Sequence, residues 1–193
     1  MSLITPHLYL GDANNAQDLN FLTSKKVGFI VDCAAEIPTY YPQKFKYLHL
    51  NLNDVPSQNI IEALKVSSDQ ILQNIKNKVV TFVHCAAGVS RSSSVVIYTL
   101  MRLHRWDYEK SFKYVKSMHA RTNPNPGFVE QLILMGSGNT NILNTDNHDR
   151  VETTIEYDKE ENLVEPEEPR IGINPKESSL SARGHKGMYA RIF

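Results

Sequence analysis

The feature that most restricts the fold is a segment in the middle of the chain, Val83-His84-Cys85-Ala86-Ala87-Gly88-Val89-Ser90-Arg91-Ser92. A β-rich apolar run at residues 79–83 leads into it and predicts a central strand. Residues 92–105, which follow, are apolar on most sides of a helix, and such helices are usually buried. A strand, a loop and a buried helix in this order predict an α/β fold with the loop at a helix N-terminus.

The rest of the first 136 residues predicts the same alternation of strands and helices. Strands are expected at residues 8–10, 29–31 and 45–52, and helices at residues 13–22, 57–76, 107–119 and 127–136. Asp12 is a candidate cap for the helix at residues 13–22. We therefore expect a central mixed sheet of about five strands flanked by helices.

Composition changes near residue 136. Residues 146–168 contain ten acidic residues against Arg150 and Lys159, whereas the charged residues of 169–193 are mainly basic. Low hydrophobicity with clustered charge predicts disorder. The expected organisation is a globular domain at residues 1–136 and a disordered, acidic and then basic tail at residues 137–193. The net charge of zero averages these two blocks, so it favours neither nucleic acid nor an anionic membrane as a partner.

The central loop has the properties of an anion site. A helix N-terminus presents free backbone N–H groups and the positive end of the helix dipole. Gly88 allows the backbone to curl so that successive N–H groups face inward. The residues expected to bind a phosphate are Ala86, Ala87, Gly88, Val89, Ser90 and Arg91.

Cys85 stands at the mouth of this anion site, where the same field stabilises a thiolate, the nucleophilic form of cysteine. Arg91 can grip two phosphate oxygens in a bidentate pair. Ser92 can hydrogen-bond the sulfur and ease its departure from an intermediate, and His84 is expected to orient the loop and support the thiolate. A buried structural cysteine before a serine-rich turn is the alternative, but it leaves the spacing of these residues unexplained.

The run from His84 to Ser92 resembles the signature of protein tyrosine phosphatases, and most closely that of the dual-specificity branch, His-Cys-x-x-Gly-x-Ser-Arg-Ser. The opening Ile4-Thr5-Pro6-His7-Leu8-Tyr9-Leu10-Gly11 is similar to the first strand of that branch. Asn123-Pro124-Asn125-Pro126-Gly127-Phe128-Val129-Glu130-Gln131-Leu132 is similar to its closing motif. The resemblance spans about residues 3–136 and implies a small phosphatase without a rhodanese-like domain.

The proposed chemistry also needs a general acid to protonate the leaving oxygen. Asp54 follows the strand at residues 45–52, and the resemblance implies an acid just after this strand. From the residues alone, Asp54 could equally well start a turn. Asp12 and Asp32 are the competing carboxylates.

Several other side chains invite a functional or a structural interpretation. The resemblance suggests that Asn125 fixes the shape of the loop, although a turn residue between two prolines is equally compatible. Cys33 is either a redox partner of Cys85 or, as we favour, a small buried residue. Tyr40 and Tyr41 are weak candidates for flanking the phosphate site. At the end of a helix, His119 is expected to complement the helix dipole.

These observations lead to a cysteine-dependent protein phosphatase that acts on phosphotyrosine and phosphoserine/threonine through a phosphocysteine intermediate. The alternatives are a phosphatase on a phosphoinositide or an RNA 5′ end, and a phosphate-binding module with little turnover.

We expect no cofactor and no metal, because the histidines lack the spacing of a zinc site. The expected partners are phosphorylated proteins, with no nucleic acid and no membrane, and the tail could bind a partner. We expect a cytoplasmic monomer with access to the nucleus, a shallow cleft with Asp54 and Arg91 on opposite sides, and a tail that is dispensable for catalysis.

Overall fold

The computed structural model describes residues 1–137 and residues 156–157, and its elements alternate as the sequence predicts. The strands are β1 (Ser2–Thr5), β2 (Leu8–Gly11), β3 (Val27–Ala34), β4 (Lys46–Leu52), β5 (Val80–His84) and β6 (Glu156–Tyr157). The helices are α1 (Ala13–Gln17), α2 (Leu19–Ser24), α3 (Ile61–Lys76), α4 (Arg91–His104), α5 (Tyr108–Met118) and α6 (Pro126–Gly136).

The sheet is mixed, with the strand order β1-β2-β5-β3-β4-β6. Its four inner strands, β2, β5, β3 and β4, run parallel, and β1 and β6 are added antiparallel at the two edges. The carboxyl ends of the parallel strands therefore meet at one end of the sheet, where ligands bind in open α/β folds. Asp12, Cys85 and Asp54 each follow within two residues of the end of one of these strands, β2, β5 and β4 respectively.

The two faces of the sheet have different covers. On one face, alternate residues of the inner strands pack with α3, α4, α5 and α6 in the main core, which includes Val31, Leu50, Val83 and Leu100. On the other face, Ile30, Tyr47 and Phe82 pack with residues of α1 and α2 in a smaller cluster. Because side chains alternate along a strand, Cys85 points into the main core side and His84 toward the smaller cluster.

Two local features differ from the sequence prediction. The helix expected at residues 13–22 is divided into α1 and α2, because Asp18 leaves helical geometry and caps α2 by accepting a hydrogen bond from the backbone N–H of Phe21. The chain also begins with β1, which the apolar pattern does not indicate. None of the helices among residues 1–137 combines the length and the apolarity needed to cross a membrane.

The predicted tail lies outside the described residues except for Ser137 and the two residues of β6. The sequence does not predict β6, which pairs antiparallel with β4 in the register Leu48 to Tyr157 and His49 to Glu156. The outer edge of β4 thus has a partner strand from the segment beyond α6.

Candidate active site

The central loop, residues 85–90, connects the end of β5 to the first turn of α4. Gly88 has φ of +68°, which favours glycine. A Cβ atom at this position would lie 2.8 Å from the carbonyl oxygen of Gly11, at the end of β2. Both the backbone conformation and the close approach of a neighbouring strand therefore require glycine here.

Cys85 is 1% exposed and lies where the sequence places it, at the start of the loop. Its sulfur accepts hydrogen bonds from the backbone N–H of Gly88 and from the hydroxyl of Ser92, each at 3.2 Å. The contact predicted for Ser92 is therefore present. Two donors at the N-terminus of a buried helix are an arrangement that stabilises negative charge on sulfur.

Arg91 is buried at the same loop. Its guanidinium is held by Glu36, a residue that the sequence analysis did not identify. Nη1 and Nη2 donate to the two carboxylate oxygens of Glu36 at 2.5 and 2.6 Å, and Nη1 also donates to the carbonyl of Leu52 at 3.0 Å. Burial opposes the charge on Arg91, but its hydrogen bond with Glu36 and the nearby charges raise its pKa above the ordinary value. The same hydrogen bond lowers the pKa of Glu36.

The Nε atom of Arg91 is buried and has no hydrogen-bond partner among the described residues. Because Glu36 takes one edge of the guanidinium, the edge formed by Nε and Nη2 is the one that can receive a bidentate anion.

Asp54 lies next to Arg91, with Oδ2 at 3.9 Å from Nε. The expectation that these two residues occupy opposite sides of the cleft is therefore wrong: the short loop after β4 returns toward the central loop. Oδ1 of Asp54 accepts hydrogen bonds from the Ser90 hydroxyl at 2.7 Å and from the Asn125 amide at 2.8 Å. The Asp54 side chain remains 36% exposed, so a reacting group can reach it.

Asn125 connects the loop before α6 with the site. Its side chain caps α6 by accepting from the backbone N–H of Phe128, while its amide donates to Asp54. Its backbone N–H donates to the Ser90 hydroxyl at 3.0 Å. Asn125 therefore contacts the phosphate loop, as the resemblance suggests, and it also orients the candidate acid.

The two competing carboxylates have other partners. Asp12 caps α1 and pairs with Arg121 at 3.2 Å. Asp32 is 2% exposed and lies beneath the loop between two histidines, with one oxygen 3.8 Å from His84 and the other 3.7 Å from His49. Of the three aspartates, Asp54 is the one hydrogen-bonded to the side chain of a phosphate-loop residue.

Two histidines lie next to the loop, His84 before it in the sequence and His119 across from Gly88. Burial lowers the pKa of His84, which stacks on Phe82. At the end of α5, Nε2 of His119 lies 2.9 Å from the carbonyl oxygen of Gly88, and burial lowers its pKa as well. His119 thus holds the loop by a hydrogen bond, whereas the sequence suggests only a charge at the end of a helix.

The remaining candidates are less directly involved. Cys33 is fully buried, and burial together with the negative charge of Cys85 raises its pKa. Tyr40 and Tyr41 pack with the smaller cluster and form hydrogen bonds with Gln17 of α1. Within the described residues, no group of three or more His, Cys, Asp or Glu side chains is arranged to hold a metal ion.

The matching family model and the two relatives described next are phosphatases. Residues 8–137 match the model of the dual specificity phosphatase catalytic domain. The chain is 37% identical over 130 residues to a probable rhodanese domain-containing dual specificity protein phosphatase of Dictyostelium discoideum, covering 67% of this chain and 27% of that protein. It is 36% identical over 131 residues to the human protein phosphatase Slingshot homolog 1, covering 68% of this chain and 12% of that protein.

The fold is similar to that of human DUSP28, with a TM-score of 0.68 and 25% sequence identity over 72% of this chain and 96% of the other. The chain spans about a quarter or less of the length of the two curated relatives it matches.

Proposed function

The chain belongs to the dual specificity phosphatase family, and from this premise we propose that it hydrolyses phosphotyrosine and phosphoserine/threonine in proteins through a phosphocysteine on Cys85. The single observation that carries the proposal is the environment of the Cys85 sulfur. Two donors converge on it at 3.2 Å at the N-terminus of α4, beside a buried arginine.

In the first step, the Cys85 thiolate attacks phosphorus, and the bond between phosphorus and the ester oxygen breaks. The leaving oxygen takes the proton of the Asp54 carboxyl, which is exposed enough to reach it. The backbone N–H groups of the loop and the free edge of Arg91 hold the phosphoryl oxygens while charge builds on them.

In the second step, water attacks phosphorus and gives one proton to the Asp54 carboxylate. The bond between sulfur and phosphorus breaks, inorganic phosphate leaves, and the electron pair returns to Cys85. The Ser92 hydroxyl donates a hydrogen bond to this sulfur, which favours its departure as a thiolate.

Cys85→Ser tests the mechanism. We expect it to abolish turnover of an aryl phosphate while retaining the fold and part of the affinity for phosphate, because the hydroxyl is a much weaker nucleophile. Vanadate should inhibit the wild-type protein by adopting the geometry of the transferring phosphoryl group. Cys33→Ala is the matched control and should retain activity. Turnover that survives in Cys85→Ser, or is lost to a chelator, would refute the mechanism.

Dual specificity requires an open cleft that admits both short and long phosphorylated side chains. The exposure of Asp54 supports this, and the loop side chains Ala86, Ala87 and Val89 offer no additional cation for a highly charged headgroup. Phosphopeptides that differ only at the phosphorylated residue should both be hydrolysed, phosphotyrosine faster, since phenoxide is the better leaving group. Undetectable turnover of phosphothreonine would limit the activity to phosphotyrosine.

The family implies phosphorylated proteins as substrates. We further propose that the chain acts as a monomer in the cytoplasm and that its acidic residues 146–168 bind a basic partner. Sedimentation of the full chain and imaging of a tagged full-length protein test the first two statements.

A further inference from the structure

A groove lies beside the phosphate loop, between that loop and the first turn of α6. It has a volume of about 690 Å³, within the range of sites that take small ligands. Its walls include the apolar side chains Val89, Pro124, Pro126 and Val129, with Asp54 and Glu130 contributing carboxylates. We call it the side groove.

The helical spacing of α6 explains why one of these carboxylates lines the side groove. Pro126, Val129 and Glu130 are three and four residues apart, so they share one face of the helix. Phe128 and Leu132 point the other way and are fully buried in the main core. Glu130 is exposed, and none of the ion pairs within residues 1–137 involves it.

The side groove is continuous with the candidate active site. Asp54 and Ser90 line it, and they are hydrogen-bonded to each other at 2.7 Å. A substrate whose leaving oxygen takes the Asp54 proton must approach over Asp54. The residues next to the phosphorylated one then lie close to the side groove, because Asp54 lines it.

Resting on the proposed function, we propose that the side groove binds a lysine or arginine side chain close to the phosphorylated residue of the substrate, with Glu130 as the residue that selects it. An aliphatic stem can pack on the valine and proline side chains while the charged head reaches a carboxylate. Asp54 carries a proton in the first step, so Glu130 supplies the negative charge.

The experiment compares phosphotyrosine peptides with arginine or citrulline at each of the two positions on either side of phosphotyrosine. Citrulline has a similar shape and no charge. For the wild-type full chain we expect kcat/KM to be about 2- to 5-fold higher with arginine at one position at least, the value of an exposed ion pair. Glu130→Gln should remove this preference and Glu130→Lys should reverse it.

Glu109→Lys is the control variant. Glu109 is exposed in the first turn of α5, at the opposite end of that helix from His119, which contacts the loop. It should retain the wild-type preference. Turnover of a small aryl phosphate, which has no neighbouring residue to place against Glu130, should be the same in all four proteins.

Three results would overturn the inference: no preference for arginine over citrulline at any position, a preference that Glu130→Gln leaves intact, or a loss of aryl phosphate turnover in Glu130→Gln. Absence of turnover on the aryl phosphate and on all peptides in the wild-type protein would instead refute the proposed function.

Discussion

Two loops bring a carboxylate to the same guanidinium, and they do so in different ways. Glu36 follows β3 and pairs with both terminal nitrogens of Arg91 at 2.5 and 2.6 Å. Asp54 follows β4, lies 3.9 Å from Nε, and is held instead by the neutral donors of Ser90 and Asn125. The first carboxylate is fixed as an anion that orients Arg91. Asp54 makes no tight ion pair with any described residue. A group proposed to take up and release a proton in each cycle needs this freedom.

Asp54→Asn is the substitution with the largest expected effect, and it tests whether Asp54 and Glu36 have different roles. We expect kcat to fall by about 10²- to 10⁴-fold for alkyl and phenyl phosphates, because the amide cannot donate the proton of a carboxylic acid. The loss should shrink for substrates with strongly acidic leaving groups, which need no proton. Steady-state kinetics across a series of aryl phosphates measures this, and an equal loss along the series would make Asp54 a structural residue.

Glu36→Gln should have a smaller effect that falls on binding. Without its anionic partner, Arg91 is held less firmly, and a misplacement of about 1 Å in a binding group can cost up to 10²-fold. We expect kcat/KM to fall by about 10- to 10²-fold, mainly through KM, with a parallel loss of affinity for vanadate. Glu62→Gln is the control, because Glu62 is an exposed glutamate of α3 that pairs with Lys65 on the same helix.

The affinity of Glu36→Gln for vanadate distinguishes a positioning role of Glu36 from two other roles. If Glu36→Gln binds vanadate more tightly than the wild-type protein, the carboxylate competes with phosphate for Arg91. If affinity is unchanged while kcat falls, Glu36 acts on the chemical steps. Either result contradicts the positioning role.

The smallest effect is expected from the side chain of Asn125, whose amide donates a hydrogen bond to Asp54. Asn125→Ala removes one hydrogen bond to Asp54, so kcat should fall by about 2- to 10-fold. It also removes the cap of α6, which should lower the free energy of unfolding by about 1 kcal/mol. Asn125→Ser retains a capping hydroxyl but lacks the amide, so urea unfolding should be nearly normal while kcat falls as in Asn125→Ala. A normal kcat in Asn125→Ser would show that the amide does not orient Asp54.

The phosphate loop could be predicted because its chemistry is contiguous in sequence. Cys85, Gly88, Arg91 and Ser92 are brought together by one turn and the start of one helix, so their spacing alone fixes their geometry. The position of Asp54 beside this loop agrees with the resemblance, which implies an acid just after β4, and with the fixed place of a parallel strand end at the sheet edge. From the residues alone, Asp54 could equally well have started a turn. The position of that strand next to β3 then brought Asp54 closer to Arg91 than expected.

Contacts that depend on the path of a loop could not be predicted. Glu36 reaches Arg91 from 55 positions earlier in the sequence, and no periodicity relates the two residues. His119 was visible only as a charge at the end of a helix, since its bond to Gly88 depends on how α5 packs. The strand end just before Glu36 was the available signal, because β3 lies beside β5 and the segment after it must pass the phosphate loop.

The pairing of β6 with β4 has a consequence for the solution behaviour of shortened forms of this protein. A strand at the rim of a sheet presents unpaired backbone groups that can template intermolecular β-structure and aggregation. Glu156 and Tyr157 cover part of that rim at Leu48 and His49. A chain cut after α6 would retain every side chain of the candidate active site and yet expose this backbone. The side chains of the candidate active site and the strand that covers this sheet edge therefore lie in different stretches of the same polypeptide.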